Sequence, residues 1–405
     1  MHRRTYLALA VASLAGCAGA RPTGTGGGSG SSTKTAARPD DGDEADEGAY
    51  AVETVATGLE HPWAVEPLGA STLLVTEQPG RLSLVDAETG DTRRVAGTPA
   101  VFARGQGGLL DATLGPTYPD EPWVYLTYSV GRSDGTSSTR VGRGRLTGLD
   151  GDGPRLTAFE TLYTAEPFVE SSGHFGSRVA FAPDGTMYVT VGDRQFKNFG
   201  PDHVAQDPSN DLGTVLRLNP DGSVPADNPF VDDPDAGDAV FSYGHRNAQG
   251  LAVHPETGTI WETEFGERDG DEINALRPGA NYGWPVADES CRYGSDEPVG
   301  VSHDDRADVV APVYSWPCGS GGFPPSGAAF YEGDALPWTG DLLVGGLASR
   351  YLARFRVDGE TATEADPLLA DRGWRIRDVA VAADGAVYAA VDAADAPVVR
   401  LAPAN

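Results

Sequence analysis

The side chains of this chain that could do chemistry gather in four short stretches. His174 stands among small residues in Ser171-Ser-Gly-His-Phe-Gly-Ser-Arg178, a loop feeding a strand. An accessible imidazole there can work as a base near neutral pH. Taken alone, the segment fits a surface or hydrogen-bonded structural histidine better. Tyr243-Gly-His-Arg-Asn-Ala-Gln-Gly250 packs the guanidinium of Arg246 and the amides of Asn247 and Gln249 into four residues. Such donors suit a ligand rich in carbonyl and carboxylate oxygens, or else a polar turn. Glu264-Phe-Gly-Glu-Arg-Asp-Gly-Asp-Glu-Ile-Asn274, followed by Pro278-Gly-Ala-Asn-Tyr-Gly-Trp-Pro285, crowds oxygens of the type calcium prefers. It lacks the EF-hand spacing, and a solvated acidic loop is the plainer reading. Trp374-Arg-Ile-Arg-Asp378 puts Arg375 and Arg377 on one face of a strand, because side chains alternate with period two. Two adjacent guanidiniums call for an anion between them, either a polycarboxylate ligand or acids of the protein.

The elements that must position these groups read as short strands. From about residue 50 onward, apolar runs alternate and break at Gly, Pro and Asp, with no long helical period. Val179-Ala-Phe-Ala-Pro-Asp-Gly-Thr-Met-Tyr-Val-Thr-Val-Gly-Asp193 is a strand, a turn and a strand, and Val379-Ala-Val-Ala-Ala-Asp-Gly-Ala-Val-Tyr-Ala-Ala-Val-Asp392 repeats it. Weaker copies begin near Ala64, Ala112, Leu251 and Ala328. Six loosely spaced copies, each too small to bury both faces of its own sheet, predict an all-β, six-bladed β-propeller of four-stranded antiparallel blades over residues 49–405. Loops at one face of the ring are where a site would be built.

Ahead of the propeller, Arg3-Arg4 precedes the apolar run Leu7 to Leu14, which ends in Leu14-Ala15-Gly16-Cys17. This predicts a twin-arginine lipoprotein signal over 1–16, lipidation of Cys17 and a flexible tether over 17–48. The mature protein is then exported and lipid-anchored at the outer face of the cytoplasmic membrane. In that oxidising setting Cys291 and Cys318 are expected to form a disulfide.

The balance of 30 Lys+Arg against 59 Asp+Glu leaves a net charge of −29, which repels phosphate backbones and excludes nucleic acid as a partner. Lysine occurs only at Lys34 and Lys197, and an acid-rich, lysine-poor chain suits a halophilic, salt-adapted protein.

Taken together, the blocks resemble the soluble pyrroloquinoline quinone (PQQ) dependent glucose and aldose sugar dehydrogenases. The match runs in order from Gly58-Leu-Glu-His-Pro-Trp-Ala64 through Glu77-Gln-Pro-Gly-Arg81, Gly105-Gln-Gly-Gly-Leu-Leu110, Gly173–Arg178, Gly244–Gly250 and Asp271–Asn274 to Arg375–Asp378. The resemblance implies a six-bladed propeller that oxidises an aldose to its lactone, with PQQ and Ca²⁺ as cofactors and an unidentified electron acceptor. It implies that His174 is the general base and that Arg246 stabilises the oxyanion forming at the C5 carbonyl of the quinone. Gln106, Asn247, Gln249, Arg375 and Arg377 fall on cofactor-binding positions. The carbonyls of Gly266 and Glu267 fall on ligands of the active-site calcium, and Glu272 and Tyr282 on those of a structural calcium.

Four positions depart from the family pattern. Phe265 stands where the family often has His or Gln, Glu267 where it often has Pro, and Gly173 where a polar residue often precedes the base. Ala348 falls where the glucose-specific branch has a cofactor-binding Lys, which favours the aldose-type branch. Two other classes share the fold: a non-catalytic ligand-binding propeller and a calcium-dependent propeller lactonase. Loss of the base or of the cofactor arginines would favour the first, and the second would not need the paired arginines.

Overall fold

The clearest sequence repeat folds as its residues dictate. Val179–Phe181 pairs antiparallel with Met187–Val191, matching Val179 to Val189 and Phe181 to Met187. Gly185 takes the left-handed turn position at φ 84°, and Oδ1 of Asp184 accepts the Thr186 N–H at 2.9 Å. Thr214–Leu218 and Val240–Tyr243 complete a four-stranded antiparallel sheet. The structure, a computed structural model, describes residues 50–151 and 153–404. The signal segment 1–16, Cys17 and the tether 17–48 lie outside the described residues.

Six such sheets make up the fold, all antiparallel and four-stranded, so the chain is a six-bladed β-propeller. The first strands of successive blades are Pro62–Pro67, Leu109–Leu114, Val179–Phe181, Ala248–Val253, Pro325–Phe330 and Ile376–Val381. Each contacts the next, and the last contacts the first, which closes the ring around a central channel. The six sequence copies coincide with these inner strands. The final sheet is closed by the beginning of the domain: Tyr50–Leu59 pairs with Ala396–Pro403 as the outermost strand of the last blade. Apolar clusters fill the spaces between neighbouring blades, for example Val65, Val75 and Val85 of the first blade against Tyr388, Ala390 and Val398 of the last. No helix among the described residues is long and apolar enough to cross a membrane.

Side-chain bonds tie the inner strands together at the hub. Arg178, buried in the wall of the third blade, donates from Nη1 to Asp111 Oδ1 at 3.0 Å and pairs with Asp378 Oδ1 at 2.8 Å. Its Nε reaches the Gln249 carbonyl at 2.6 Å, its Nη2 reaches the Arg377 carbonyl at 3.0 Å, and its guanidinium stacks 4.2 Å from the Trp63 ring. One side chain thus joins the inner strands of five blades. Burial presses both aspartates upward, Asp378 to about 7 even with Arg178 beside it.

Arg178→Met should therefore destabilise the propeller by about 3–5 kcal/mol at neutral pH, because two buried carboxylates lose their counter-charge. The loss should shrink in acid as those carboxylates take up protons. Denaturant unfolding at two pH values measures this, and a pH-independent loss would contradict it.

Candidate active site

Because every inner strand starts at the same face of the ring, residues just before those strands meet there although they are far apart in sequence. A cavity of about 500 Å³ opens at this face, and its wall includes Gln106, His174, Arg246, Gln249, Arg375 and Arg377. The same wall carries Gly266, Glu267, Ala348 and Asp392. Asn247 is not on it: its Oδ1 accepts the Gly176 N–H at 3.1 Å behind the His174 loop, and its buried Nδ2 has no partner among the described residues.

His174 is buried rather than freely accessible, with only 4% of its surface exposed. Its backbone N–H is held by Gln106 Oε1 at 2.6 Å, and its Nδ1 lies 2.6 Å from Asp193 Oδ1. Asp193 is completely buried and receives the Trp284 indole N–H on Oδ2 at 2.8 Å. Burial opposes its charge, but His174 and Arg246 outweigh that and lower its pKa, so it is an acceptor only. Nδ1 of His174 therefore carries the proton, and Nε2 is left basic and without a partner among the described residues. Burial, and then the positive Arg246, lower the pKa of His174 below 6.5, with Asp193 pulling the other way. The imidazole is thus neutral and correctly oriented to accept a proton. Asp193 escaped the reading of the sequence, although it ends the clearest repeat; one acid among 59 acidic residues carries no mark of its partner.

Arg246 is fixed by the loop after Ile260–Glu264. Its Nη2 donates to Glu267 Oε2 at 2.7 Å, its Nη1 donates to the Phe265 carbonyl at 3.3 Å, and the guanidinium lies 5.1 Å from the Trp284 ring. Lys197 Nζ closes on Glu267 from the other side at 2.6 Å. The Glu267 side chain is therefore part of the cavity wall, a role its family position, read only as a backbone carbonyl, did not suggest. Neither the Gly266 nor the Glu267 carbonyl accepts a hydrogen bond from a described residue.

Both arginines of the last blade converge on one carboxylate. Arg375 Nη2 and Arg377 Nη2 donate to Asp392 Oδ2 at 3.1 and 3.0 Å, and Arg377 Nη1 donates to Gln249 Oε1 at 2.8 Å. An acid of the protein thus lies between them, while both guanidiniums also face the cavity. The wall as a whole bears Lys197, Arg246, Arg268, Arg375 and Arg377 against Glu267, Asp271 and Asp392. Five cations against three acids make a positive cavity in a chain of net charge −29. It is suited to an anion.

Away from the cavity, Glu272 and Tyr282 do come together, but His303 lies between them. Its Nε2 is 3.1 Å from the Tyr282 carbonyl and 4.0 Å from Glu272 Oε1. Burial disfavours a charge on His303, yet its bond to Glu289 prevails and raises its pKa. Cys291 and Cys318 are joined by a disulfide that closes the segment carrying Tyr293 of the cavity wall.

The glucose/sorbosone dehydrogenase family pattern matches residues 59–400. An uncharacterized protein of Synechocystis sp. is 39% identical over 361 residues, spanning 86% of this chain and 85% of its own. The soluble aldose sugar dehydrogenase of Escherichia coli, in its apo-form, superposes with a TM-score of 0.81 at 34% identity, over 87% of this chain and 99% of that one. The PQQ-bound aldose sugar dehydrogenase of Streptomyces coelicolor superposes with a TM-score of 0.70 at 30% identity, over 88% and 98%.

Asp193→Asn should lower the His174 pKa further, since the carboxylate is what supports its protonated form against burial and Arg246. Imidazole NMR titration reads this directly. An unmoved His174 titration would mean that Asp193 does not set its charge.

Proposed function

The chain belongs to the glucose/sorbosone dehydrogenase family, and from that premise we propose that it oxidises aldose sugars to lactones with PQQ and Ca²⁺. The observation that supports this most is the convergence of His174, Arg246, Arg375 and Arg377 on one positive cavity. A tricarboxylate quinone matches that charge. The carbonyls of Gly266 and Glu267, which accept no hydrogen bond from a described residue, are acceptors that the cation of such a cofactor would satisfy.

When bound, PQQ supplies the two-electron acceptor that no side chain provides, and Ca²⁺ acts on it as a Lewis acid. Arg375 and Arg377 would bind cofactor carboxylates in partial exchange for Asp392, and Gln249 and Gln106 would orient the ring. Arg246, already aimed by Glu267 and Phe265, would place a fixed positive charge beside the bound cofactor. His174 Nε2 takes the proton of the anomeric hydroxyl, and ionised Asp193 stabilises the resulting imidazolium through Nδ1. Turnover would then require an external electron acceptor. The proposed lipid anchor at Cys17 would hold the propeller at the membrane's outer face within reach of one.

Purified protein supplied with PQQ and Ca²⁺ should reduce an artificial dye when given aldoses. His174→Ala should lower turnover by at least ~100-fold while PQQ titration is unchanged, and undiminished turnover would remove His174 from the mechanism. The acid side of the pH profile follows from the lowered pKa: the neutral imidazole is the active form, so turnover should persist below pH 6.5 and fall only at more acid pH. An acid limb centred at or above 6.5 would contradict this.

A further inference from the structure

The residue before the base has no side chain, and the space beside it is filled from elsewhere. A Cβ on Gly173 would collide with the Cδ, Oε1 and Nε2 atoms of Gln195, so the amide of Gln195 lies where a side chain at 173 would otherwise project. Gln195 is on the cavity wall and exposed, and its amide makes no hydrogen bond with a described residue. Its backbone N–H donates at 2.8 Å to Asp193 Oδ1, the same oxygen that holds His174 Nδ1 at 2.6 Å. The amide and the base are therefore placed by one buried carboxylate.

The loop that carries the amide is rigid and strained. Arg194 and Gln195 both adopt left-handed backbone, at φ 59° and 65°, as does His174 at 46°. Such conformations persist where surrounding contacts over-determine them, and they cluster at functional sites. The contacts here come from Arg194, which is buried and donates to the carbonyls of Gly173 at 2.9 Å, Ser171 at 2.8 Å and Ser137 at 3.0 Å. Its guanidinium lies 3.8 Å from the Phe175 ring.

We infer that Gln195 is the specificity-determining residue that binds the substrate's ring hydroxyls beside the reacting carbon, in place of a side chain at position 173. This rests on the reading of the protein as a sugar dehydrogenase. A primary amide offers one acceptor oxygen and two N–H donors, which matches a pair of neighbouring hydroxyls. It discriminates by hydrogen bonding alone, so it favours sugars that keep the neighbouring hydroxyls over analogues in which those are replaced by hydrogen.

The test uses PQQ- and Ca²⁺-loaded protein and 1,5-anhydroglucitol, a sugar analogue that lacks the oxidisable anomeric hydroxyl and so reports binding without turnover. Calorimetry should show Gln195→Ala weakening this analogue by about 5- to 30-fold, as expected for one or two lost hydrogen bonds, with PQQ affinity unchanged. In dye reduction the same variant should raise KM for aldoses more than it lowers kcat. Gly173 is outside the left-handed region, so Gly173→Asn combined with Gln195→Ala can return an amide to the same space and should recover part of the lost affinity. Unchanged analogue binding in Gln195→Ala, or loss of PQQ and analogue together, would overturn the inference. Wild-type protein that binds the analogue but oxidises no aldose would instead overturn the proposed reaction and leave the subsite standing.

Discussion

The buried guanidinium of Arg178 is the constraint on which the rest of the molecule depends. A propeller holds its blades by apolar packing, which sets distance but not register about the axis. Arg178 adds directional bonds to Asp111, Asp378 and the carbonyls of Gln249 and Arg377, and stacks on Trp63. Gln249 and Arg377 are themselves cavity residues, so the floor of the site and the hub of the ring are one hydrogen-bonded unit. Arg377 cannot move relative to Gln249 without breaking a bond to the same guanidinium.

Around that floor the electrostatics run opposite to the surface. The chain is strongly acidic, yet its one lysine within the described residues, Lys197, stands at the cavity beside four arginines. The pair between Arg246 and Glu267 is buried, with 6% side-chain exposure for each, whereas Lys197 and Arg375 are half to two-fifths exposed. Salt shortens the Debye length to about 3 Å at 1 M and would screen the surface charge, but buried pairs are screened much less. The Arg246–Glu267 pair therefore keeps its strength under conditions that erase the surface field.

The architecture was legible because each blade repeats the same local signals: alternating apolar residues, an Asp-Gly turn, and alternation again. Those signals need no knowledge of distant partners, and Val179–Asp193 and Val379–Asp392 carried them openly. The stretches holding His174, Arg246 and the paired arginines were each ambiguous taken alone, and only their collinear order along the chain, matched to a family, set them apart. What stayed hidden depends on contacts between distant residues. Asp193 acquires its meaning from His174 and Trp284, and Asp392 from arginines 15 and 17 residues away. Glu267 joins Lys197 and Arg246, 70 and 21 positions off, and His303 reaches Tyr282 from 21 positions away. In a chain with 59 acidic residues, only the folded ring distinguishes these few from the rest.

The central claim is that the positive mouth of the channel is built for a single flat polyanion held by the arginines of the last blade. Fluorescence titration of PQQ into the purified protein, repeated with Arg375→Ala and Arg377→Ala together, tests it most directly. The account predicts saturable binding of one PQQ per chain that the double substitution weakens by at least ~10-fold, as for lost charge-assisted hydrogen bonds. Equal affinity in both proteins, or no binding by the wild type, would contradict it.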